Sequence, residues 1–171
     1  MKVTRLDFNI MNIHSSLIQT QAVQEIIQCN DFTTKYGLSL TEQQAMELVE
    51  TRNQVLSANG RVEFSGGIIH KIIQEFCDSP YITKGNYVTT IQELIEIFYY
   101  YKNETEDLVS DDDLIYFMGN AFNHKCQGSL ELLSGRELDK MTTRLRNGKN
   151  PMDMDEVEDH EEEDEDYYEG Y

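Results

Sequence analysis

Arg52 is the residue whose type and position most clearly suggest chemistry. It follows Leu48 by four residues and Val49 by three, so on a helix it would lie along an apolar stripe. A guanidinium in such a place must be paired or must reach water or a ligand. The first interpretation is a structural ion pair with an internal carboxylate such as Glu63 or Asp78. The second is recognition of an anionic ligand or of a partner's carboxylate, for which the planar fork of arginine is well suited.

Arg61 and Glu63 flank Val62 in a short alternating segment that precedes the glycines at 66 and 67. In an extended segment both charged side chains would lie on one face. We expect that face to be either solvated or paired with another part of the chain. The alternative is a small polar binding site beside the glycines.

Arg136, Lys140 and Arg144 are spaced by four residues and form a basic stripe on a predicted helix. Basic amphipathic helices bind partners or acidic polymers. The nearest polyanion is the chain's own acidic tail, which begins at Pro151. One hypothesis is that the tail screens this helix intramolecularly. The alternative is a solvated helix followed by a tail that only increases solubility.

Metal-ligating residue types are present without the spacing of a metal motif. His70 and Cys77 share one side of a predicted helix, and His124 and Cys126 lie at the end of another. The aspartates at 111–113 are explained as helix-capping charges rather than as cation ligands. The sequence also has no nucleophile elbow, phosphate-binding loop or zinc-protease motif. We therefore predict no metal and no cofactor, and lean against an enzyme.

The charge distribution limits the kind of partner. The formal net charge is −18, and residues 151–171 hold 12 acidic and no basic side chains. Residues 1–150 hold 20 acidic and 14 basic side chains, a net of −6. This balance argues against direct binding of nucleic acid and against docking on anionic membranes. The absence of a continuous apolar leader and the odd, sparse set of three cysteines favour a cytoplasmic protein.

The apolar periodicity predicts an all-α fold, an irregular bundle of five or six helices. We expect one helical domain at 1–150 and a disordered acidic tail at 151–171. The first helix is expected to begin after Ser15 or Ser16, and a capping box is predicted at Thr41 and Gln44. Ser110 is expected to cap a later helix, and the last helical region has a break near 134–135. Short strands or extended links are predicted near 3–10 and 61–64.

Five segments of the sequence stand out together: LTE at 40–42, TRN at 51–53, GRVEF at 60–64, FCDSPYI at 76–82 and IFYYYKNE at 97–104. With SDD at 110–112, they resemble a family of small uncharacterised proteins from clostridia and related Firmicutes. The resemblance covers residues 15–140, and the acidic tail departs from the family pattern. It implies a bacterial cytoplasmic protein of unknown function, and brings no catalytic residue to this chain.

These observations favour a non-catalytic protein-interaction or regulatory module that works through a helical surface with an unidentified protein partner. A small-molecule-binding protein or enzyme with a polar site around Arg52 is the first alternative. An acidic mimic of nucleic acid, acting through the tail, is the second. The sequence leaves the oligomeric state open.

Overall fold

The computed structural model describes the backbone of residues 5–63 and 67–154, with side chains from Ser16 onward. This part of the chain is helical and contains no strand, which confirms the predicted all-α fold. The helices are α1 (Arg5–Gln28), α2 (Asn30–Thr33), α3 (Glu42–Ala58), α4 (Gly67–Phe76), α5 (Tyr87–Glu104), α6 (Asp111–Asn123), α7 (Leu130–Leu132) and α8 (Asp139–Arg146). A 3-10 turn (Thr34–Tyr36) follows α2, and a π-helical segment (Leu133–Leu138) joins α7 to α8 without a break.

The N-terminal prediction was wrong in its described part. Residues 5–10 are helical rather than extended, and the first helix begins at Arg5 instead of after Ser15 or Ser16. The reason lies in the spacing of the apolar residues. Leu6 and Ile10 belong to the alternating set that predicted a strand, but they are also four residues apart. Ile13 follows three residues later, so these three fit one helical face.

Side-chain caps fix the starts of two helices as predicted. The Thr41 hydroxyl accepts from the amide of Gln44 at 3.2 Å, and the Gln44 side chain accepts from the amide of Thr41 at 2.9 Å. The hydroxyl of Ser110 accepts from the amide of Asp113 at 3.1 Å at the start of α6. These caps satisfy backbone donors that have no partner within the helix.

Helix α5 lies at the centre of the core and packs against α3, α4 and α6. Its inward residues Ile91, Leu94, Ile95 and Phe98 are fully buried. No helix in the described residues has the length and apolar character needed to cross a bilayer.

The connection between α3 and α4 is irregular at residues 61–63, where no strand forms; residue 64 lies outside the described part. At the other end, the expected break near 134–135 is instead the π-helical segment. Residues 151–154 pack on the domain, since Met152 and Met154 contact the core and the ammonium of Lys125 donates to the carbonyl of Met154. The disorder predicted for the rest of the tail concerns residues 155–171, outside the described residues.

Candidate functional site

Arg52 lies on α3 and is only 2% exposed, as its place on the apolar stripe predicts. Its Nε and Nη2 donate to the side-chain oxygen of Asn53 at 3.4 and 3.2 Å. Nη1 has no hydrogen-bond partner within the described residues. The predicted ion pair with Glu63 or Asp78 does not form, because no oxygen of either carboxylate lies within 4.0 Å of the guanidinium.

Glu63 is bonded elsewhere, to a tyrosine of α5. The hydroxyl of Tyr99 donates to Glu63 Oε2 at 2.6 Å. Burial of the phenol, and then the bond to Glu63, raise the pKa of Tyr99, and the charge of Arg52 acts in the opposite direction. The carboxylate of Glu63 thus accepts from a neutral hydroxyl, and the charge of Arg52 acts on Tyr99 without a direct bond.

Arg61 reaches the same helix. Its Nε donates to Asn103 Oδ1 at 2.9 Å and its Nη2 to Asp107 Oδ2 at 2.7 Å. The bond from Arg61 to Asp107 holds the pKa of Asp107 below its usual value. Arg61 and Glu63 therefore both face α5, which agrees with the predicted cross-paired face, although they lie on an irregular link rather than on a strand.

Lys102 completes a group of charges around the C-terminal half of α5. It is 7% exposed, and its ammonium donates to the carbonyl of Val109 at 2.6 Å and lies 2.9 Å from Asp111 and 3.8 Å from Asp107. We call the following group the Arg52 cluster: Arg52, Arg61, Lys102, Glu63, Asp107 and Asp111. Its three cations and three carboxylates balance, which is typical of a structural network.

The remaining predicted site residues lie elsewhere. Asp78 is exposed in the turn after α4, and its charge adds to burial in raising the pKa of Cys77. Arg136 bonds to Glu137 Oε1 at 2.8 Å and to the carbonyl of Lys125 at 2.9 Å. Lys140 and Arg144, the other members of the basic stripe, are partly buried and both engaged. The structure brings together Arg52, Arg61 and Glu63, and leaves the other four candidates outside that cluster.

The cysteines are free and buried. Burial raises the pKa of Cys29 to about 11 and also raises the pKa values of Cys77 and Cys126. Such thiols are protonated at neutral pH and are poor nucleophiles. Within the described residues, no group of three or more histidine, cysteine or carboxylate side chains could hold a metal ion.

A groove lies between α5 and the π-helical segment, and sequence reasoning did not identify it. Its volume is about 480 Å³, within the usual range of ligand pockets, and it is open to solvent. We call it the α5–π groove. It is lined by Glu96, Ile97, Tyr100, Tyr101, Ser134, Gly135 and Asp139.

Two tyrosines of the groove have different roles. Tyr101 is 3% exposed, and its hydroxyl lies 2.7 Å from Asp139 Oδ1 and also contacts the carbonyl of Ser134. Tyr100 is 57% exposed, and its ring packs edge-on against the ring of Tyr101 with centroids 5.0 Å apart. One ring therefore ties the two walls together while the other offers an accessible aromatic surface.

Gly135 opens the second wall of the groove. A Cβ built at this position would meet no atom within 4 Å. The π-helical turn around it is a rare conformation that is found mostly in single turns and frequently at functional sites. The signals in the sequence were the pair Ser134-Gly135 within a helical pattern and the run of tyrosines at 99–101, but neither indicates that the two segments meet.

No curated protein and no solved structure matches the chain significantly. The model of a family of unknown function, DUF6323, matches residues 25–151, well over half of the chain. That match includes both the Arg52 cluster and the α5–π groove. The chain therefore belongs to DUF6323, a family of unknown function.

Proposed function

We propose that this protein is a non-catalytic interaction module whose protein partner docks in the α5–π groove. The observation that carries the proposal is the open groove beside Tyr100, an exposed aromatic side chain on a helix whose opposite side is buried in the core. Exposed aromatic residues next to a recess are the usual anchors of protein interfaces. Ile97 adds a partly buried apolar surface on the same wall.

The chemistry of the groove supports binding rather than catalysis. Its titratable side chains are two carboxylates and two tyrosines. Burial, and then the bond to Asp139, raise the pKa of Tyr101, so its phenol stays protonated at neutral pH. No histidine or cysteine lines the groove, and its two exposed carboxylates are suited to the recognition of positive charge.

One observation favours the alternative of a small-molecule site or enzyme around Arg52. The Nη1 atom of Arg52, without a partner in the described residues, would suit an anionic ligand. Against this stand the 2% exposure of Arg52 and the charge balance of the Arg52 cluster, which leave an anion no evident access and no excess positive charge. The alternative of a nucleic-acid mimic depends on residues 155–171, outside the described residues.

The resemblance to clostridial proteins supports a bacterial origin as part of this proposal. The free, buried cysteines support a cytoplasmic location, because thiols stay reduced in that compartment. Both are expectations about where the partner would be found. They make a bacterial lysate the appropriate source of partners.

The proposal is tested by blocking the groove without disturbing the fold. Gly135→Leu places a side chain where a Cβ meets no atom, and Gly85→Leu makes the same change at an exposed site where the nearest atom to a Cβ is 3.9 Å away. Each tagged full-length chain would be used to capture proteins from lysate, with quantitative mass spectrometry. We expect a partner retained by the parent chain and Gly85→Leu to be lost with Gly135→Leu. Equal retention by all three chains would reject the groove as the docking site.

A further inference from the structure

The α5–π groove has an uncompensated negative charge. Glu96 and Asp139 are both exposed, and neither forms an ion pair with a described residue. None of the residues that line the groove is basic. Outside the groove, by contrast, Arg61, Lys71 and Arg146 each pair with a carboxylate. The groove thus holds acceptors for positive charge that the described domain does not fill.

Asp139 is held in a fixed position. The hydroxyl of Tyr101 lies 2.7 Å from its Oδ1, and Tyr101 itself is buried. Within the described residues no hydrogen bond to Oδ2 is formed, so this oxygen can accept from a ligand. A pre-positioned carboxylate loses less conformational entropy on binding than a free one. It is therefore a suitable acceptor for an ammonium or a guanidinium.

The exposed ring of Tyr100 complements these carboxylates. A lysine or arginine side chain buries its aliphatic stem on an aromatic surface while its charged end reaches an acceptor. The face of a tyrosine also attracts a cation directly. Tyr100 and Ile97 thus provide surface for the stem, and Glu96 and Asp139 provide acceptors for the charge.

From this arrangement we infer that the occupant of the α5–π groove is a basic segment of a protein partner, with a lysine or arginine side chain lying against Tyr100. The inference rests on the proposed function and specifies its partner. The chain's own tail is the wrong occupant, because residues 155–171 carry 11 acidic and no basic side chains. A second copy could offer its basic α8 helix, and the test separates that case.

The probe is hexalysine with blocked termini. Its dissociation constant for the full-length chain is measured by fluorescence anisotropy. The buffer contains about 150 mM salt, because this concentration screens distant surface charges. Glu96→Gln with Asp139→Asn removes the two groove charges. Glu47→Gln with Glu50→Gln removes two exposed charges of α3 and serves as the matched control. We expect the groove variant to weaken binding about ten-fold, equivalent to about 1.4 kcal/mol, and the control to weaken it less than about two-fold.

Three results would overturn the inference. Equal weakening by both double variants would mean general attraction to an acidic chain, and equal binding of blocked hexaglutamine would mean that charge is not recognised. A dimer that the groove variant dissociates, observed by light scattering, would make the occupant a second copy. If the inference fails while Gly135→Leu still abolishes capture of the partner, the proposed function stands. If Gly135→Leu leaves capture intact, the docking site itself is wrong.

Discussion

Helix α5 serves two polar regions, the Arg52 cluster and the α5–π groove, and its consecutive tyrosines divide between them. Tyr99 bonds to Glu63 in the cluster, whereas Tyr101 bonds to Asp139 in the groove. Residues two apart on an α-helix lie about 200° apart around its axis, so the two hydroxyls face opposite ways. In both regions a buried phenol is bonded to a carboxylate.

The two regions differ in the charges that surround the bonded tyrosine and carboxylate. In the Arg52 cluster three cations accompany three carboxylates, Arg61 and Lys102 pair with Asp107 and Asp111, and the guanidinium of Arg52 is buried. In the groove the carboxylates are exposed, and no described cation offsets them. A charged residue within an apolar helical stripe is easily recognised in the sequence. A charge that is accessible and has no compensating partner is the better indicator of a binding site.

The largest expected effect comes from breaking the turn that leads into the second wall of the groove. Gly128 has φ +83°, and a Cβ there would lie 2.5 Å from Cβ and Cγ of Tyr81. We expect Gly128→Ala to lower the free energy of unfolding by about 2–5 kcal/mol, from backbone strain and overpacking together. Urea denaturation measures this, with Gly85→Ala as the control. A loss of less than about 1 kcal/mol would show that the turn and Tyr81 shift to accommodate the added Cβ at little cost.

Arg52 tests whether the cluster is structural. Arg52→Met keeps most of the side-chain volume and removes a buried charge, so we expect the free energy of unfolding to change by less than about 1 kcal/mol. Arg52→Ala also removes the packed stem, and we expect a loss of about 2–3 kcal/mol. Thermal and urea unfolding compare the two variants. If Arg52→Met lowered the free energy of unfolding as much as Arg52→Ala, the charge of Arg52 itself would be required for stability.

Substitutions of Tyr99 and Tyr101 compare the two regions directly. Tyr99→Phe leaves Glu63 without its donor, and Tyr101→Phe leaves Asp139 without its own, so each should lower the free energy of unfolding by about 1–2 kcal/mol. Only Tyr101→Phe should also weaken hexalysine binding, because only Asp139 lies in the groove. Anisotropy titrations of both variants check this. Equal binding losses would indicate that the two regions are coupled.

Stability should fall at alkaline pH. Burial raises the pKa values of Tyr99 and Tyr101 in the folded state, so above pH of about 10 the unfolded chain loses its phenolic protons first. The unfolded state then binds fewer protons, and the free energy of unfolding decreases by up to about 1.4 kcal/mol per pH unit for each tyrosine. The single Tyr→Phe variants should show a shallower decrease between pH about 10 and 11.5 in urea titrations. Unchanged slopes would contradict the burial of the phenols.

Local signals in the sequence predicted most of the fold. The capping box of Thr41 and Gln44 and the cap at Ser110 placed two helix starts, because each cap depends on residues three apart. The burial of Arg52 followed from its spacing. The partner of Arg52 could not be predicted in the same way. The expected carboxylate, Glu63, is bonded to Tyr99, which lies 36 residues away in the sequence.

The groove was beyond prediction for the same physical reason. It exists only where α5 meets residues 134–139, and no local pattern specifies that contact. The helical pattern included Tyr99 and Tyr101 among the apolar residues of this helix, and both are buried, but it gave no indication of the segments that they would contact. The pair Ser134-Gly135 was interpreted as a helix break, because a glycine there disfavours an ordinary α-helix and π-helical turns are rare.

The most direct test compares one change in each region in the same capture experiment. Gly135→Leu adds a side chain to the wall of the groove, and Arg52→Met removes the buried charge of the Arg52 cluster. Retention of the partner would be quantified by mass spectrometry relative to the parent chain, after confirming that both variants are folded. We predict that Gly135→Leu loses the partner and Arg52→Met keeps it. Retention by Gly135→Leu with loss by Arg52→Met would contradict the account and place the functional site at Arg52.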